Sequence, residues 1–198
     1  MRALIKKVYN FLYFQSWNFG LWSPPDRRFL VSEIFRHFSK SHDIHRILSV
    51  GVRRYTRKYE HEFSRDQTFV TVDYDIGVRG FGARHHFIAD VRKCDRLFSK
   101  KDEKFDLIFL NGIIGYGLND SESVNDGLTA LAAIAHPEAW LVIGNHPAQT
   151  KLVNLDQLPA MNSFFTPTAF PPTGLQAHSF KLPTYSGVHH EYRFYRQH

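Results

Sequence analysis

The chain of 198 residues has a single cysteine, no long run of apolar residues and no excess of acidic residues. One thiol, Cys94, excludes an internal disulfide framework and a cysteine-based metal cage. The composition is compatible with a reducing compartment, and we expect a cytoplasmic location. A chain of this length buries a substantial core without metals or disulfides, so we expect one compact domain.

The positive charge of the chain is concentrated in its first part. Residues 1–110 carry 21 Lys and Arg against 13 Asp and Glu, whereas residues 111–198 carry 4 against 6. Such asymmetry can reflect an anionic partner or solvated helices around a sheet. We favour solvated helices, because the sequence has no dense basic run and no known nucleic-acid motif. We therefore predict a small-molecule substrate and no nucleic-acid partner.

The first segment, residues 1–22, is rich in aromatic residues that alternate with polar ones. A membrane-spanning helix needs about 20 consecutive apolar residues, and a signal peptide needs a cleaner apolar centre than this segment offers. We therefore predict no integral membrane segment. We expect this arm to pack on the domain or to cover its ligand cleft, with peripheral membrane contact as the alternative.

The remaining sequence divides into a helix and an α/β domain. After Pro24 and Pro25, apolar residues recur at helical spacing up to Phe38, and Asp26 is the expected N-cap. We assign residues 1–43 to the aromatic arm and this helix, and residues 44–198 to the α/β domain.

Five short apolar runs in the α/β domain each end in polar residues or glycine. Runs of this kind indicate strands that are buried on both faces of a parallel sheet. They cover residues 47–51, 69–73, 86–90, 105–112 and 139–146. Residues 121–135 predict an amphipathic helix capped by Ser121, and residues 174–182 and 191–195 predict a final antiparallel strand pair.

These elements predict the α/β class, with a doubly wound, mostly parallel sheet and a C-terminal antiparallel strand pair. Ligands of such sheets bind beyond the carboxyl ends of the strands. The polar residues that end the five runs should therefore meet at one rim.

The runs at 47–51, 70–73, 89–90 and 105–108, in this order, resemble the motifs of class I S-adenosylmethionine-dependent methyltransferases. The stretch 110–120 is similar to a subgroup of bacterial members. The resemblance covers about residues 44–146. It implies a Rossmann-like fold, S-adenosyl-L-methionine as cofactor, and a methyltransferase activity.

The first glycine-rich motif of that family is degenerate in this chain. Ser49 stands where the family has an acid, Gly51 keeps the first glycine, and Arg53 and Tyr55 replace the next two. The resemblance nevertheless places Gly51 and Arg53 at the cofactor. Arg53 or Arg54 is a candidate partner for the carboxylate of the cofactor or for a phosphorylated substrate.

Further cofactor positions follow from the resemblance. Asp73, 22 residues after Gly51, is expected to bind the ribose hydroxyls, or else to cap the next helix. Tyr74 either covers the adenine or packs in the core. Asp90 either accepts a hydrogen bond from the adenine amino group or caps a turn.

The resemblance places Asn111 and Gly112 beside the methyl donor, where glycine allows close approach and the Asn amide can orient a substrate. His146, just after the fifth run, is the first candidate for a catalytic base. Asp120 and the His189-His190 pair are second-choice candidates. The histidines form no compact ligand set, so we predict no metal.

The most favoured function is methylation of a small molecule, at a hydroxyl of a sugar or secondary metabolite. A catalytically degenerate, methyltransferase-like binding or scaffold protein is the alternative that Ser49, Arg53 and Tyr55 favour. A nicotinamide-dependent oxidoreductase fits less well, because a pyrophosphate needs the glycine-rich turn that Arg53 and Tyr55 replace.

Overall fold

The computed structural model describes residues 23–100, 104–146, 153–173, 177–184 and 189–198. The aromatic arm predicted for residues 1–22 lies outside them. The strands of the described part are β1 (Arg46–Val50), β2 (Thr68–Asp73), β3 (His85–Ile88), β4 (Phe105–Asn111), β5 (Ala135–Asn145), β6 (Phe165–Pro167), β7 (Ser179–Pro183) and β8 (His189–Gln197).

Its helices lie between these strands. They are α1 (Pro25–Phe29), a π-helical segment (Leu30–Phe35), α2 (Arg36–Ser39), α3 (Cys94–Leu97), α4 (Ser121–Ile134) and α5 (Pro159–Phe164). The first three follow one another without a break, so they form one continuous helical segment from Pro25 to Ser39.

All eight strands form one sheet with the order β3-β2-β1-β4-β5-β8-β6, and β7 also pairs with β8. Strands β1 to β5 pair in parallel, whereas β8 runs antiparallel to β5, β6 and β7. The predicted fold class is therefore confirmed, including the C-terminal antiparallel pair. The sequence analysis missed β6, which is only three residues long and contains a proline.

Alternation along the strands divides the core into two layers. One layer packs α4 and α3 on one sheet face, through side chains that include Leu48, Ile108 and Leu141. The other packs the segment Pro25–Ser39 on the opposite face, against neighbours such as Phe109 and Phe194. Helices therefore cover both faces, as a doubly wound sheet requires.

The two helix caps differ from those expected. Pro24 precedes α1, while Asp26 lies in the first turn with a buried side chain. For α4, the cap is Asp120 rather than Ser121, because Asp120 Oδ1 accepts from the Ser123 amide at 2.7 Å. The Ser123 hydroxyl accepts in turn from the Asp120 amide, which gives a reciprocal capping box.

The connection from β1 to β2 contains two short 3-10 turns, Arg54–Thr56 and Tyr59–Glu62, and no α-helix. Its sequence is highly charged and carries too few apolar residues for a helix to cover the sheet. Tyr59 and Phe63 from this connection are buried beside Phe35 instead. No helix in the described part of the chain is long and apolar enough to cross a membrane.

Candidate functional site

Two adjoining cavities lie at the carboxyl ends of the parallel strands. The first cavity has a volume of about 310 Å³ and extends toward β2 and β3. The second cavity has a volume of about 340 Å³ and extends toward β5, β8 and the helix α1. They share the lining residues Val50, Gly51, Arg53, Gly112, Ile113 and Tyr116.

Two glycines shape the shared wall. Gly51 has φ +89°, and a Cβ there would lie 2.3 Å from Ile113 Cδ1. Gly112 has φ +69°, and a Cβ there would meet no atom within 4 Å, so it would project into open space. Both backbone conformations favour glycine, and at Gly112 the missing side chain leaves room for a ligand.

Asp73 ends β2 and lies at the first cavity with its carboxylate buried. Its Oδ2 accepts from the Val52 amide at 2.7 Å and from Arg53 Nη1 at 3.3 Å, and its Oδ1 accepts from the Asp75 amide at 2.9 Å. Asp73 therefore ties the loop after β1 to the end of β2. The cap of the next turn is Asp75, so the capping role considered for Asp73 belongs to its neighbour.

Arg53 stands between the two cavities, with its side chain 45% exposed. Its guanidinium donates to the carbonyl of Val52 at 2.6 Å as well as to Asp73. Arg53, which replaces a glycine of the family motif, therefore lies against Asp73, the carboxylate that we predict to bind the ribose.

Tyr74 and Asp90 face the first cavity from its outer side. Tyr74 is 62% exposed, so it is no core residue. Asp90 caps the turn that follows β3 by accepting from the Arg92 amide at 3.0 Å, and it also pairs with the Arg92 side chain. The hydrogen bonds from Arg92 lower the pKa of Asp90, so the carboxylate stays ionised at neutral pH.

Asn111 and His146 line the second cavity. Asn111 is the last residue of β4, and its Oδ1 is buried with no hydrogen-bond partner. His146 follows β5, and its Nδ1 lies 3.4 Å from the carbonyl oxygen of His189. A carbonyl only accepts, so Nδ1 carries the proton in the neutral ring, and Nε2 keeps its lone pair.

The structure separates the His189-His190 pair. His189 is exposed, whereas His190 is 1% exposed, lines the second cavity and has no partner for either ring nitrogen. Burial lowers the pKa of His190 to about 2, so its ring is neutral. The alternation His190, Tyr192, Phe194 was the available sequence signal, because it places His190 on the buried face of β8.

Arg27 was not singled out from the sequence, yet it also lines the second cavity. It lies over the Tyr55 ring at 4.9 Å, and its Nε is 3.6 Å from Asp26 Oδ2. Burial raises the pKa of Asp26. Arg27 precedes Leu30 and Ile34 by three and seven positions, so it lies on the apolar stripe of its helix.

The proposed site residues thus fall into two groups. Six of the seven cofactor candidates line the first cavity, and the seventh, Asn111, lines the second together with His146. Asp120 lines neither cavity, because it is the cap of α4. Within the described ranges, no group of three or more His, Cys, Asp or Glu side chains is placed to hold a metal ion.

The cavities suit an elongated ligand with a nucleoside at one end. The first offers a carboxylate at the end of β2 for a diol, a second carboxylate at Asp90 and an open edge at Tyr74. The space in front of Gly112 connects it to the second cavity. The residues present therefore fit S-adenosyl-L-methionine.

No family model and no curated protein sequence matches the chain. Several solved structures are similar to the chain. The N-methyltransferase NodS from Bradyrhizobium japonicum WM9 is similar with a TM-score of 0.63 and 15% identity, over 86% of this chain and 96% of NodS. The O-methyltransferase TomG from Streptomyces achromogenes, solved in complex with SAM, has a TM-score of 0.57 and 15% identity, over 87% of this chain and 79% of TomG.

A third similar structure is the 1,6-didemethyltoxoflavin-N1-methyltransferase from Burkholderia thailandensis, with bound 1,6-didemethyltoxoflavin and S-adenosylhomocysteine. It has a TM-score of 0.55 and 14% identity, over 100% of this chain and 90% of its own. At these identities the similarity concerns the fold. The chain therefore has the Rossmann-like fold of class I S-adenosylmethionine-dependent methyltransferases.

Proposed function

We propose that this protein is an S-adenosylmethionine-dependent methyltransferase that acts on a hydroxyl of a small molecule, a sugar or secondary metabolite. The observation that carries the proposal is the pair of adjoining cavities, with the cofactor candidates around the first and His146 at the second. Known methyltransferases of this fold with bound SAM or S-adenosylhomocysteine support the choice of cofactor.

Binding of the cofactor falls to the residues of the first cavity. Asp73 would accept from one ribose hydroxyl through the Oδ1 lone pair that its three protein donors leave available, and Asp90 would accept from the adenine amino group. Tyr74, which lines the first cavity, would pack against the adenine. Gly112 leaves room for the ligand and Gly51 leaves room for Ile113, while Arg53 holds the loop against Asp73.

When bound, S-adenosyl-L-methionine supplies a methyl group from its sulfonium, whose sulfur keeps the electron pair of the broken bond. The task of the protein is to orient the acceptor and to receive its proton. His146 Nε2 accepts the hydroxyl proton, because Nδ1 faces the His189 carbonyl. The ring is only partly buried, so it passes the proton on to solvent.

Titration of the purified protein with S-adenosylmethionine and S-adenosylhomocysteine by calorimetry tests the proposal. We expect both to bind. If neither binds at millimolar concentration, the enzyme assignment is wrong, and the degenerate binding or scaffold protein, favoured by Arg53 and Tyr55 in the first loop, takes its place.

The base assignment is tested with methyl-labelled S-adenosylmethionine and a panel of hydroxyl compounds. Substitution His146→Ala should lower the rate of label transfer by about 10²–10⁴ at neutral pH, with unchanged cofactor affinity. His136→Ala is the matched control, since His136 lies near the opposite end of β5. Equal rates in both variants would exclude His146 as the base.

The oxidoreductase alternative has less support. A dinucleotide pyrophosphate binds at the N-terminus of the helix that follows the first strand. In this chain, that position holds the 3-10 turn Arg54–Thr56. The turn offers neither the aligned dipoles of a helix nor the family glycines.

A further inference from the structure

Asn111 and His190, which both line the second cavity, each place a buried polar atom over Gly144. A Cβ on Gly144 would lie 2.4 Å from Asn111 Oδ1 and 2.9 Å from His190 Nε2. Neither atom has a hydrogen-bond partner. Buried polar atoms are almost always paired, so two such atoms side by side in a cavity call for a ligand.

The sheet register explains this convergence. Asn111 pairs with Gly144, and Gly144 pairs with Tyr192, so the three residues form one row across β4, β5 and β8. The side chains of Asn111 and Tyr192 face the layer that contains α1, and so does that of His190, two residues before Tyr192 in β8. Because Gly144 has no side chain, Asn111 Oδ1 and His190 Nε2 can both pack over its Cα, where a Cβ would lie within 3 Å of each atom.

The chemistry of the two atoms selects the ligand group. Asn111 Oδ1 only accepts a hydrogen bond, and a neutral imidazole can donate from Nε2. A hydroxyl satisfies both, because it donates to Asn111 Oδ1 and accepts from His190 Nε2–H. A carboxylate has no hydrogen to donate, so it would leave Asn111 unpaired.

The rest of the lining selects the scaffold that carries the hydroxyl. Five aromatic rings surround the second cavity, from Phe35, Tyr55, Tyr59, Phe109 and Tyr116. A flat aromatic ring packs well among such side chains. A sugar would bring several further hydroxyls into this lining, and each unpaired one would weaken binding.

We propose that Asn111 and His190 bind the hydroxyl of a phenol-type substrate in the second cavity and position it as the methyl acceptor. This inference rests on the proposed function and narrows its substrate class. In it, Asn111 and His190 contact and orient the bound substrate. The hydroxyl hydrogen, donated to Asn111 Oδ1 in the bound state, turns to His146 Nε2 for proton transfer, and the His146 ring centroid lies 5.0 Å from that of His190.

The test compares two probes that differ only at the hydroxyl. Fluorine NMR measures the affinity of 4-fluorophenol and of its methyl ether, 4-fluoroanisole, for the protein saturated with S-adenosylhomocysteine. We expect 4-fluorophenol to bind about tenfold more tightly, the effect of about one satisfied hydrogen bond in a buried site. Equal affinities for the two probes would overturn the phenol assignment. So would displacement of both probes by methyl glucoside at a concentration below that of the probes.

Variants identify the residues responsible. In Asn111→Ala and in His190→Leu, the preference for 4-fluorophenol should disappear, and in His190→Leu the affinity for S-adenosylhomocysteine should stay unchanged. His85→Leu is the control, because His85 is a strand residue with an exposed side chain outside both cavities. A preference that persists in either site variant would exclude that residue from the hydroxyl contact.

Two controls keep the outcome interpretable. His190→Leu should fold with an equal or higher Tm at neutral pH, since it removes two buried ring nitrogens without partners. If a variant does not fold, the comparison of the two probes on the unaltered protein still decides whether the cavity recognises a phenol hydroxyl. Absence of S-adenosylhomocysteine binding would contradict the proposed function itself, whereas normal binding without a probe preference contradicts only this inference.

Discussion

The two cavities differ in how their polar side chains are partnered. In the first, the carboxylates of Asp73 and Asp90 already accept hydrogen bonds from the backbone and from Arg53 and Arg92. In the second, Asn111 and His190 hold buried atoms with no hydrogen-bond partner in the protein. The first cavity is thus fixed in its charge and geometry by the protein, whereas the second needs a ligand to complete its hydrogen bonds.

This difference separates two ways to organise a site. Partners within the protein orient a carboxylate before a ligand arrives, which reduces the ordering cost of binding. Unpaired polar atoms lower the stability of the empty protein, yet they discriminate strongly between ligands that satisfy them and ligands that do not. We expect the first cavity to supply affinity and the second to supply selectivity.

Removal of the Asp73 carboxylate should produce the largest effect. We expect Asp73→Ala to weaken S-adenosylmethionine binding about 100-fold, equivalent to about 3 kcal/mol, because both the ribose contact and the tie to Val52 are lost. Calorimetry measures the change. Asp75→Ala removes a nearby exposed carboxylate that caps a turn and serves as control. Unchanged affinity in Asp73→Ala would refute the ribose assignment.

Addition of one methyl group at Gly144 should affect the second cavity alone. We expect Gly144→Ala to lower the free energy of unfolding by about 2 kcal/mol, because the new Cβ overlaps Asn111 and lies 2.8 Å from Tyr192 Cε1. Cofactor affinity should be retained. Denaturant unfolding measures the loss, and Gly80→Ala, with no atom within 4 Å of its Cβ, is the control. If Gly144→Ala is as stable as Gly80→Ala, the expected overlap of the new Cβ with Asn111 and Tyr192 is wrong.

Acidification should distinguish the buried His190 from an ordinary histidine. Its pKa is lowered in the folded protein, so the unfolded chain binds more protons between about pH 2 and the ordinary value, and stability falls as pH falls. Between pH 7 and pH 5.5 this histidine should cost about 1 kcal/mol of stability.

The variant His190→Leu isolates this contribution from those of the other titrating groups. Its stability advantage over the unaltered protein should therefore grow on acidification, as measured by urea unfolding at both pH values. A constant difference would show that His190 titrates alike in the folded and unfolded states.

Substitution of Arg53 should produce the smallest effect. Its side chain is 45% exposed, so its attraction to Asp73 and to an anionic ligand is screened by solvent. We expect Arg53→Ala to weaken S-adenosylmethionine binding only a few-fold at low salt, and not measurably at about 1 M salt. A loss as large as that of Asp73→Ala would show that Arg53 is a principal cofactor ligand.

The sequence predicted the sheet well because its signal is local. Apolar runs that end in Asp73, Asn111 or His146 indicate both a buried strand and its polar carboxyl end. The strands formed where these runs lie, and their ends meet at the two cavities.

The partners of the site residues were harder to predict, because pairs form between residues distant in sequence or through backbone geometry. The Arg53–Asp73 contact joins two strand ends, and the Asn111–His190 convergence depends on the register of three strands and on Gly144. The position of Arg27 at the second cavity depends on how α1 packs. Periodicity indicates that Arg27 and His190 face inward, but it does not identify the residues that they meet.

Gly144 gives the second cavity an unusual genetic sensitivity. A single base change turns a glycine codon into an alanine codon, and here the added methyl group would occupy the space between Asn111 and His190. Apolar core positions such as Leu141 and Ile143 tolerate exchange among residues of similar volume. A single-nucleotide change at Gly144 would therefore disturb the polar side chains of the second cavity, whereas such exchanges at the core positions would leave them in place.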